Sequence, residues 1–301
     1  MHKSLVINLS GGLGNQLFQF WAGRQIAEKT GCNVIYDPTK LKSHSTQRDL
    51  ELSEFVLADS LPLIERNNSK VRALISGVND SILLRSHNYR TVVSKVIKHH
   101  YTTEIGFDFP AQYYGKFKEL SAHFQSYLYS TDLETKILDE MDLIKPTRLF
   151  LDLAREIQKE KPIVFHIRGG DYVNLKESFG MLNIDFFKQA LDVISSQYGT
   201  QKIWLFSDDV ERVRYFSANL SFMIDRTFCN DGLSSAETLK LMSMGKFLVI
   251  SNSTFSWWAG RISTAERVYA PNKWFKGMKD PKSLYPPNWH LIGSSWVDGL
   301  E

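Results

Sequence analysis

From residue 148 to 270 the chain alternates, with few interruptions, between helix-period stretches and short apolar runs, separated by glycine, proline or Asn/Asp breaks. The pattern predicts helices over 148–159, 184–198, 210–218, 235–244 and 253–264. Between them it predicts strands opening at Pro162 and covering 202–207, 222–225, 246–251 and 267–270. Alternation of this kind specifies a parallel sheet with helices on both faces, because each parallel crossover must leave the sheet and return.

The sharpest break in this pattern runs from Pro162 to Tyr172. Ile163, Val164 and Phe165 form an apolar run that ends at Gly169 and Gly170, so His166 and Arg168 fall at the carboxyl end of a buried strand. Residues two apart share a face, which gives the imidazole and the guanidinium the same surroundings. Open α/β sheets bind ligands at that end. Taken alone, an arginine there pairs more often with a surface carboxylate. The two glycines favour an anionic ligand, since backbone without side chains lets a bulky group come close to the cation.

Two further strand ends carry polar clusters. Asp208 and Asp209 follow the run Ile203 to Ser207, and neighbouring strand residues point to opposite faces. One carboxylate is therefore expected to accept from a ring N–H or a ribose, and the other to cap the next helix. Ser251, Asn252, Ser253, Thr254 and Phe255 follow the next strand and open a helix, whose unpaired N–H groups attract anions. Trp257 and Trp258 are expected to anchor that helix in the core. Together the three strand ends supply a guanidinium, a carboxylate and a phosphate-type turn, a nucleotide-diphosphate pocket that needs no metal.

The first half opens with a β-α-β unit: a strand over 5–9, the turn Ser10-Gly11-Gly12-Leu13-Gly14-Asn15-Gln16, an amphipathic helix ending at Gly31, and a strand over 33–36. The turn lacks the third glycine of a dinucleotide fingerprint and the lysine of a phosphate loop. Two readings of Asn15 fit equally, ligand contact or helix cap. Residues 61–129 are poorly periodic, with Phe107, Phe109, Tyr113, Tyr114 and Phe117 crowded together; a strand is expected over 122–129 and a helix over 133–143.

Composition narrows the partners. A net charge of +3 over 301 residues, without a dense basic block, argues against nucleic acid and suits a small anionic ligand. Lys95, Lys98, His99 and His100 make one basic patch, which reads first as a solvated helix face and allows at most peripheral membrane contact. No apolar run reaches the roughly 18 residues that span a bilayer, and the first residues read as a strand, so the expected location is the cytoplasm, including the inner face of the cell membrane. Cys32 and Cys229, without metal-ligand spacing, read as reduced core residues.

With these residues in view, the sequence resembles the inverting α-1,2-fucosyltransferases of glycosyltransferase family 11, bacterial relatives of the blood-group H enzymes. The resemblance rests on four segments in order, Gly-Gly-Leu-Gly-Asn-Gln-Leu-Phe-Gln (11–19), His-Ile-Arg-Gly-Gly-Asp-Tyr (166–172), Phe-Ser-Asp-Asp (206–209) and Ser-Asn-Ser-Thr-Phe-Ser-Trp-Trp-Ala-Gly (251–260). It implies a GT-B-like α/β fold of two Rossmann-like domains: an acceptor-side domain at 1–145, and a donor-site domain at 146–301 binding the GDP-sugar. It also implies GDP-β-L-fucose as donor, a terminal β-galactoside of an O-antigen or other surface glycan, free or lipid-linked, as acceptor, and neither metal nor cofactor. Residue by residue, the resemblance puts Arg168 on the phosphates, His166 near the nucleotide, Ser253, Thr254 and Phe255 around the diphosphate, and Asn15 near the reacting centre; Asn252, from the same polar cluster, joins the donor-binding set. Asp171 is the candidate general base, with orientation of Arg168 or closure of the turn as its alternative roles. Gly169 departs from the family, which usually carries a second arginine there. Transfer from another GDP-sugar and an inert nucleotide- or glycan-binding protein stay open as alternatives.

Overall fold

The computed structural model describes residues 4–43, 46–64, 92–93, 100–102, 119–170, 172, 176–220, 224–229, 231–281 and 283–297. Asp171, the aromatic cluster at 107–117, Lys95, Lys98 and His99, and the expected start of a strand at Phe222 lie outside the described residues. The chain divides into two compact units, Met1–Asp142 with Pro281–Tyr285, and Leu143–Asp280 with Pro286–Glu301.

In the N-terminal unit, strand β1 (Ser4–Asn8) leads through the glycine turn into helix α1 (Leu13–Thr30) and strand β2 (Asn33–Asp37). A short antiparallel hairpin follows, β3 (Lys42–Ser43) with β4 (Thr46–Gln47). With β5 (Val92–Val93), β6 (His100–Thr102) and β7 (Glu119–Ser121), the main sheet has the order β2-β1-β7-β6-β5, parallel except for β5.

Helix α1 ends as expected, with Gly31 in the left-handed region at φ 67°. It is not amphipathic, however. Gln16, Gln19 and Gln25 are buried alongside Leu17, Phe18, Trp21 and Ile26. The amides of Gln16 and Gln19 find partners inside the protein: Gln16 Nε2 donates to the Gly11 and Asp49 carbonyls (3.0 and 2.9 Å), its Oε1 accepts from Glu51 N–H (3.1 Å), and Gln19 Nε2 donates to the Ala122 carbonyl (3.1 Å). Glutamines bonded in this way replace the solvent-facing stripe that their polarity suggests.

The strand expected over 122–129 is also corrected. The ladder stops at Ser121, Phe124 turns to φ 52°, and a 3₁₀ turn covers Tyr127–Tyr129, capped by Ser126. A buried phenylalanine in the left-handed region cannot continue a ladder, and its ring packs edge-on against Tyr129. Helix α2 (Glu134–Glu140) closes the segment.

The C-terminal unit follows the predicted alternation closely. Helix α3 (Arg148–Glu160) precedes β8 (Ile163–Ile167), and α4 (Ile184–Tyr198) precedes β9 (Ile203–Ser207). After α5 (Val210–Asn219) come β10 (Ile224–Phe228), α6 (Ser235–Met242), β11 (Phe247–Val249), α7 (Thr254–Arg261) and β12 (Arg267–Pro271). The sequence pattern misses one edge strand, β13 (His290–Ile292), because three residues carry no readable period.

All six strands are parallel in the order β10-β9-β8-β11-β12-β13. Numbered from β8, this is the 3-2-1-4-5-6 order of a doubly wound sheet, and the order reverses at β8. The core behind β8 is aromatic: Phe187 packs on Phe165 (5.5 Å) and edge-on to Phe216 (5.1 Å), and each such fully buried ring contributes about 1.5–3 kcal/mol. Trp257 and Trp258 anchor α7 in the core as expected. Cys32 is buried, but Cys229 is only half-buried, so the core assignment of the second cysteine is corrected.

Candidate active site

His166 and Arg168 stand where β8 reaches the reversal point of the sheet. His166 is 3% exposed, and its Nδ1 lies 2.8 Å from the Ser251 Oγ just beyond β11. Burial, with the Arg168 charge as a second cause, pushes its pKa down to about 3, so the ring is neutral at physiological pH. A neutral imidazole adds no positive charge. It ties together the ends of the two strands that flank the reversal, and its other side leans on the Phe255 ring at 5.8 Å.

Arg168 forms an ion pair through Nη1 with the Asp208 carboxylate, whose Oδ1 also accepts the Gly169 N–H at 2.9 Å. The guanidinium lies over the Tyr172 ring (5.1 Å), and the Tyr172 hydroxyl donates to the Asn252 carbonyl (3.0 Å). Arg168 thus has a carboxylate partner at the strand end, Asp208. A partly exposed pair of this kind contributes little to stability, but it fixes the guanidinium at the strand end.

Asp208 and Asp209 diverge as strand geometry requires. Asp209 caps α5, accepting from Glu211 N (2.9 Å) and Arg212 N (3.1 Å), while its Oδ2 faces the Gly170 N–H (3.3 Å). The tandem glycines thus interlock with the tandem aspartates. A Cβ on Gly169 would stand 2.4 Å from the Asp209 Cβ; one on Gly170, at φ 50°, would stand 2.7 Å from Asp208 Oδ2.

At the third strand end, Ser253 is the N-cap of α7 in extended conformation, and among the described residues no side chain caps that helix. Ser256 Oγ bonds back to the Ser251 and Ser253 carbonyls, which tightens the turn. Thr254 and Phe255 remain partly exposed at the first helical turn. An uncapped helix start beside a guanidinium favours an anion.

Asn252 faces inward instead. Its Nδ2 lies 3.1 Å from each of the Phe179, Gly180 and Trp274 carbonyls, so it braces the neighbouring loops. Of the side chains expected on a donor nucleotide, Asn252 and Asp209 are thus engaged elsewhere, while His166, Arg168, Asp208, Ser253, Thr254 and Phe255 gather at the ends of β8, β9 and β11. Among the described residues, no three His, Cys, Asp or Glu side chains converge as metal ligands do.

In the N-terminal unit, Asn15 is the third residue of α1, whose N-cap is Gly12; Asn15 does not cap the helix. Its amide folds over Gly11, at φ 75°, where a Cβ would stand 2.5 Å from Asn15 Nδ2. Its Oδ1 accepts from Gln125 Nε2 (3.2 Å). Gln125 was not visible as a site residue in the sequence; its only signal is a polar side chain inside an apolar and aromatic run.

Comparison with known proteins adds to this geometry. A family model described as Glycosyl transferase family 11 matches residues 4–293. The O-antigen biosynthesis glycosyltransferase WbnK of Escherichia coli is 26% identical over 323 residues, spanning 96% of this chain and 98% of that protein. An alpha-1,2-colitosyltransferase of Escherichia coli is 21% identical over 280 residues, spanning 90% and 92%. Among solved structures, NodZ alpha-1,6-fucosyltransferase soaked with GDP-fucose superposes with a TM-score of 0.50 at 12% identity, covering 90% of this chain and 96% of that one. That likeness concerns the fold, which is α/β and GT-B-like.

Proposed function

The chain belongs to glycosyltransferase family 11, and from that premise we propose that it is an inverting α-1,2-fucosyltransferase. It moves L-fucose from GDP-β-L-fucose to the 2-hydroxyl of a terminal β-galactose during O-antigen or surface-polysaccharide synthesis. The observation that carries the reading is the convergence of Arg168, Asp208 and the uncapped start of α7 at three strand ends of a doubly wound sheet. The donor is assigned to the C-terminal domain at 146–301 and the acceptor to the N-terminal domain at 1–145. The α-1,2-colitosyltransferase relative favours one further donor reading, another GDP-linked sugar.

In this mechanism the acceptor oxygen attacks the fucose anomeric carbon as the bond to the β-phosphate oxygen breaks, so a β-linked donor gives an α-linked product. Arg168 and the first-turn N–H groups of α7 stabilise the charge that grows on the departing diphosphate. Neutral His166 and Phe255 shape the wall of the same pocket. The acceptor proton passes to a general base, for which Asp171 is the candidate; Asn15 serves at the acceptor side. Among the described residues no helix is long and apolar enough to cross a membrane. A lipid-linked acceptor would bring the protein into peripheral contact with the inner membrane face.

The test is incubation of the purified protein with GDP-fucose, EDTA and a panel of β-galactosides, following GDP release and product mass. A fucosylated product in the presence of EDTA is expected. Turnover with a different GDP-sugar alone would transfer the assignment to that donor. Nucleotide binding without turnover would support an inert homologue.

A further inference from the structure

The sheet of the N-terminal unit has its own reversal point. Strand β1 lies between β2, reached through α1, and β7, so a crevice is expected where β1 and β7 end. Two segments meet there, the glycine turn after β1 and residues 122–126 after β7. Gln19 joins them: it accepts from Ser10 N–H (2.9 Å) and donates to Ser10 Oγ (2.9 Å) and the Ala122 carbonyl (3.1 Å).

Beyond the end of β7, Gln125 is 5% exposed and directly follows Phe124 at φ 52°, a conformation that reorients the chain after the strand. Its Nε2 donates to Asn15 Oδ1, while its Oε1 is buried with no hydrogen-bond partner among the described residues. A buried amide oxygen in that state is costly and calls for a donor. Asn15 is half-buried, and its Nδ2 is held against Gly11. Ser10, Gln16 and Gln19 around the turn are uncharged as well, and the Glu51 carboxylate, whose Oε2 lies 4.0 Å from where a Gly12 Cβ would stand, disfavours an anion. Paired carboxamides accept from and donate to hydroxyl groups but offer no charge to an anion and no carboxylate to a metal.

We propose that Asn15 and Gln125 form a hydroxyl-recognition subsite for the acceptor sugar, with Gln125 Oε1 accepting a pyranose O–H and Gln125 Nε2 keeping the Asn15 amide in register. This rests on the glycosyl-transfer reading for the identity of the ligand as a sugar. The geometry makes Gln125 a specificity-determining contact, because a galactoside lacking the bonded hydroxyl leaves the amide oxygen buried and unpaired.

The experiment measures binding of methyl β-D-galactopyranoside and its monodeoxy analogues by saturation-transfer NMR, to the wild-type protein and to Gln125→Met, with GDP-fucose affinity measured alongside. The expected result is a loss of about tenfold for at least one analogue with the wild-type protein, equivalent to ~1.4 kcal/mol. Gln125→Met is expected to bind the parent sugar about tenfold more weakly and to stop discriminating that analogue, with GDP-fucose affinity unchanged. Wild-type-like binding of every sugar by Gln125→Met overturns the inference. So does the absence of galactoside binding to a wild-type protein that binds GDP-fucose, an outcome that leaves the donor reading standing. Galactoside binding that depends on Gln125 without GDP-fucose binding supports the subsite and removes the donor reading. If Gln125→Met does not fold, equal wild-type affinity for all monodeoxy analogues overturns the inference by itself.

Discussion

Gly169 is packed so closely against Asp209 that a Cβ on the glycine would come within 2.5 Å of the carboxylate Oδ2. The same carboxylate caps α5, so any side chain at position 169 must displace the cap. Gly169→Ala is expected to cost about 1–3 kcal/mol through overpacking and to lower the melting temperature. Gly169→Arg, which introduces the arginine common in the resembling family, should cost at least as much. A Gly169→Arg protein that melts like the wild type would mean that Asp209 leaves the helix start freely.

Arg168 is expected to hold the leaving diphosphate through paired N–H donors, which an ammonium cannot reproduce. Arg168→Lys should reduce kcat/KM by about 2–5 kcal/mol in transition-state terms while leaving the fold intact. Kinetics with varied GDP-fucose, alongside calorimetry of GDP binding, check this. Near-wild-type turnover by Arg168→Lys would remove the residue from the mechanism.

His166 gives the protein an acid-labile term. Its pKa falls from 6.5 to about 3 on folding, so between these values the unfolded chain binds a proton that the folded chain refuses. Stability is unaffected above about pH 6.5 and falls by about 1.4 kcal/mol per pH unit as the pH drops through that window, levelling off below about 3. Melting curves from pH 7 to pH 4 should show a steeper decline for the wild type than for His166→Asn. Parallel curves would mean that the histidine titrates normally in the folded protein.

Thr254 separates helix stability from anion binding. An aspartate in the first turn of α7 complements the helix dipole and should stabilise the fold by about 0.3–1 kcal/mol. The same charge repels a diphosphate. Thr254→Asp is therefore expected to melt at or above the wild-type temperature while losing most of its GDP affinity. Unchanged GDP binding would show that the diphosphate does not rest on this helix start.

Gln19 is a polar side chain that the buried helix α1 requires. Gln19→Leu leaves Ser10 N–H and the Ala122 carbonyl without this partner, at about 1–3 kcal/mol per buried group. Urea denaturation should show a lower midpoint with an unchanged slope. A hydrophobic gain from leucine that raised the midpoint would contradict the network.

The sequence alone determined five of the six strands of the C-terminal sheet and the helices between them. These strands and helices are local patterns of period 2 and 3.6 with glycine and proline stops, and parallel pairing with right-handed crossovers leaves few arrangements for them. It also placed Arg168, Asp208 and the Ser253 turn at strand ends, because residues immediately after an apolar strand can be read by counting. The four quoted segments made the family legible.

Only the tertiary structure decided which partner each group takes. Asp208 rather than Asp209 holds Arg168, because the α5 start engages the second carboxylate. Asn252 turns inward because three carbonyls from distant loops meet its amide. Gln125 meets Asn15 across 110 residues of sequence because β7 pairs with β1. Such contacts depend on through-space neighbours whose separation along the chain carries no period, so local pattern cannot encode them. The polar interior of α1 escaped for the same reason: glutamine reads as solvent-facing until the carbonyls it will bond are brought into place.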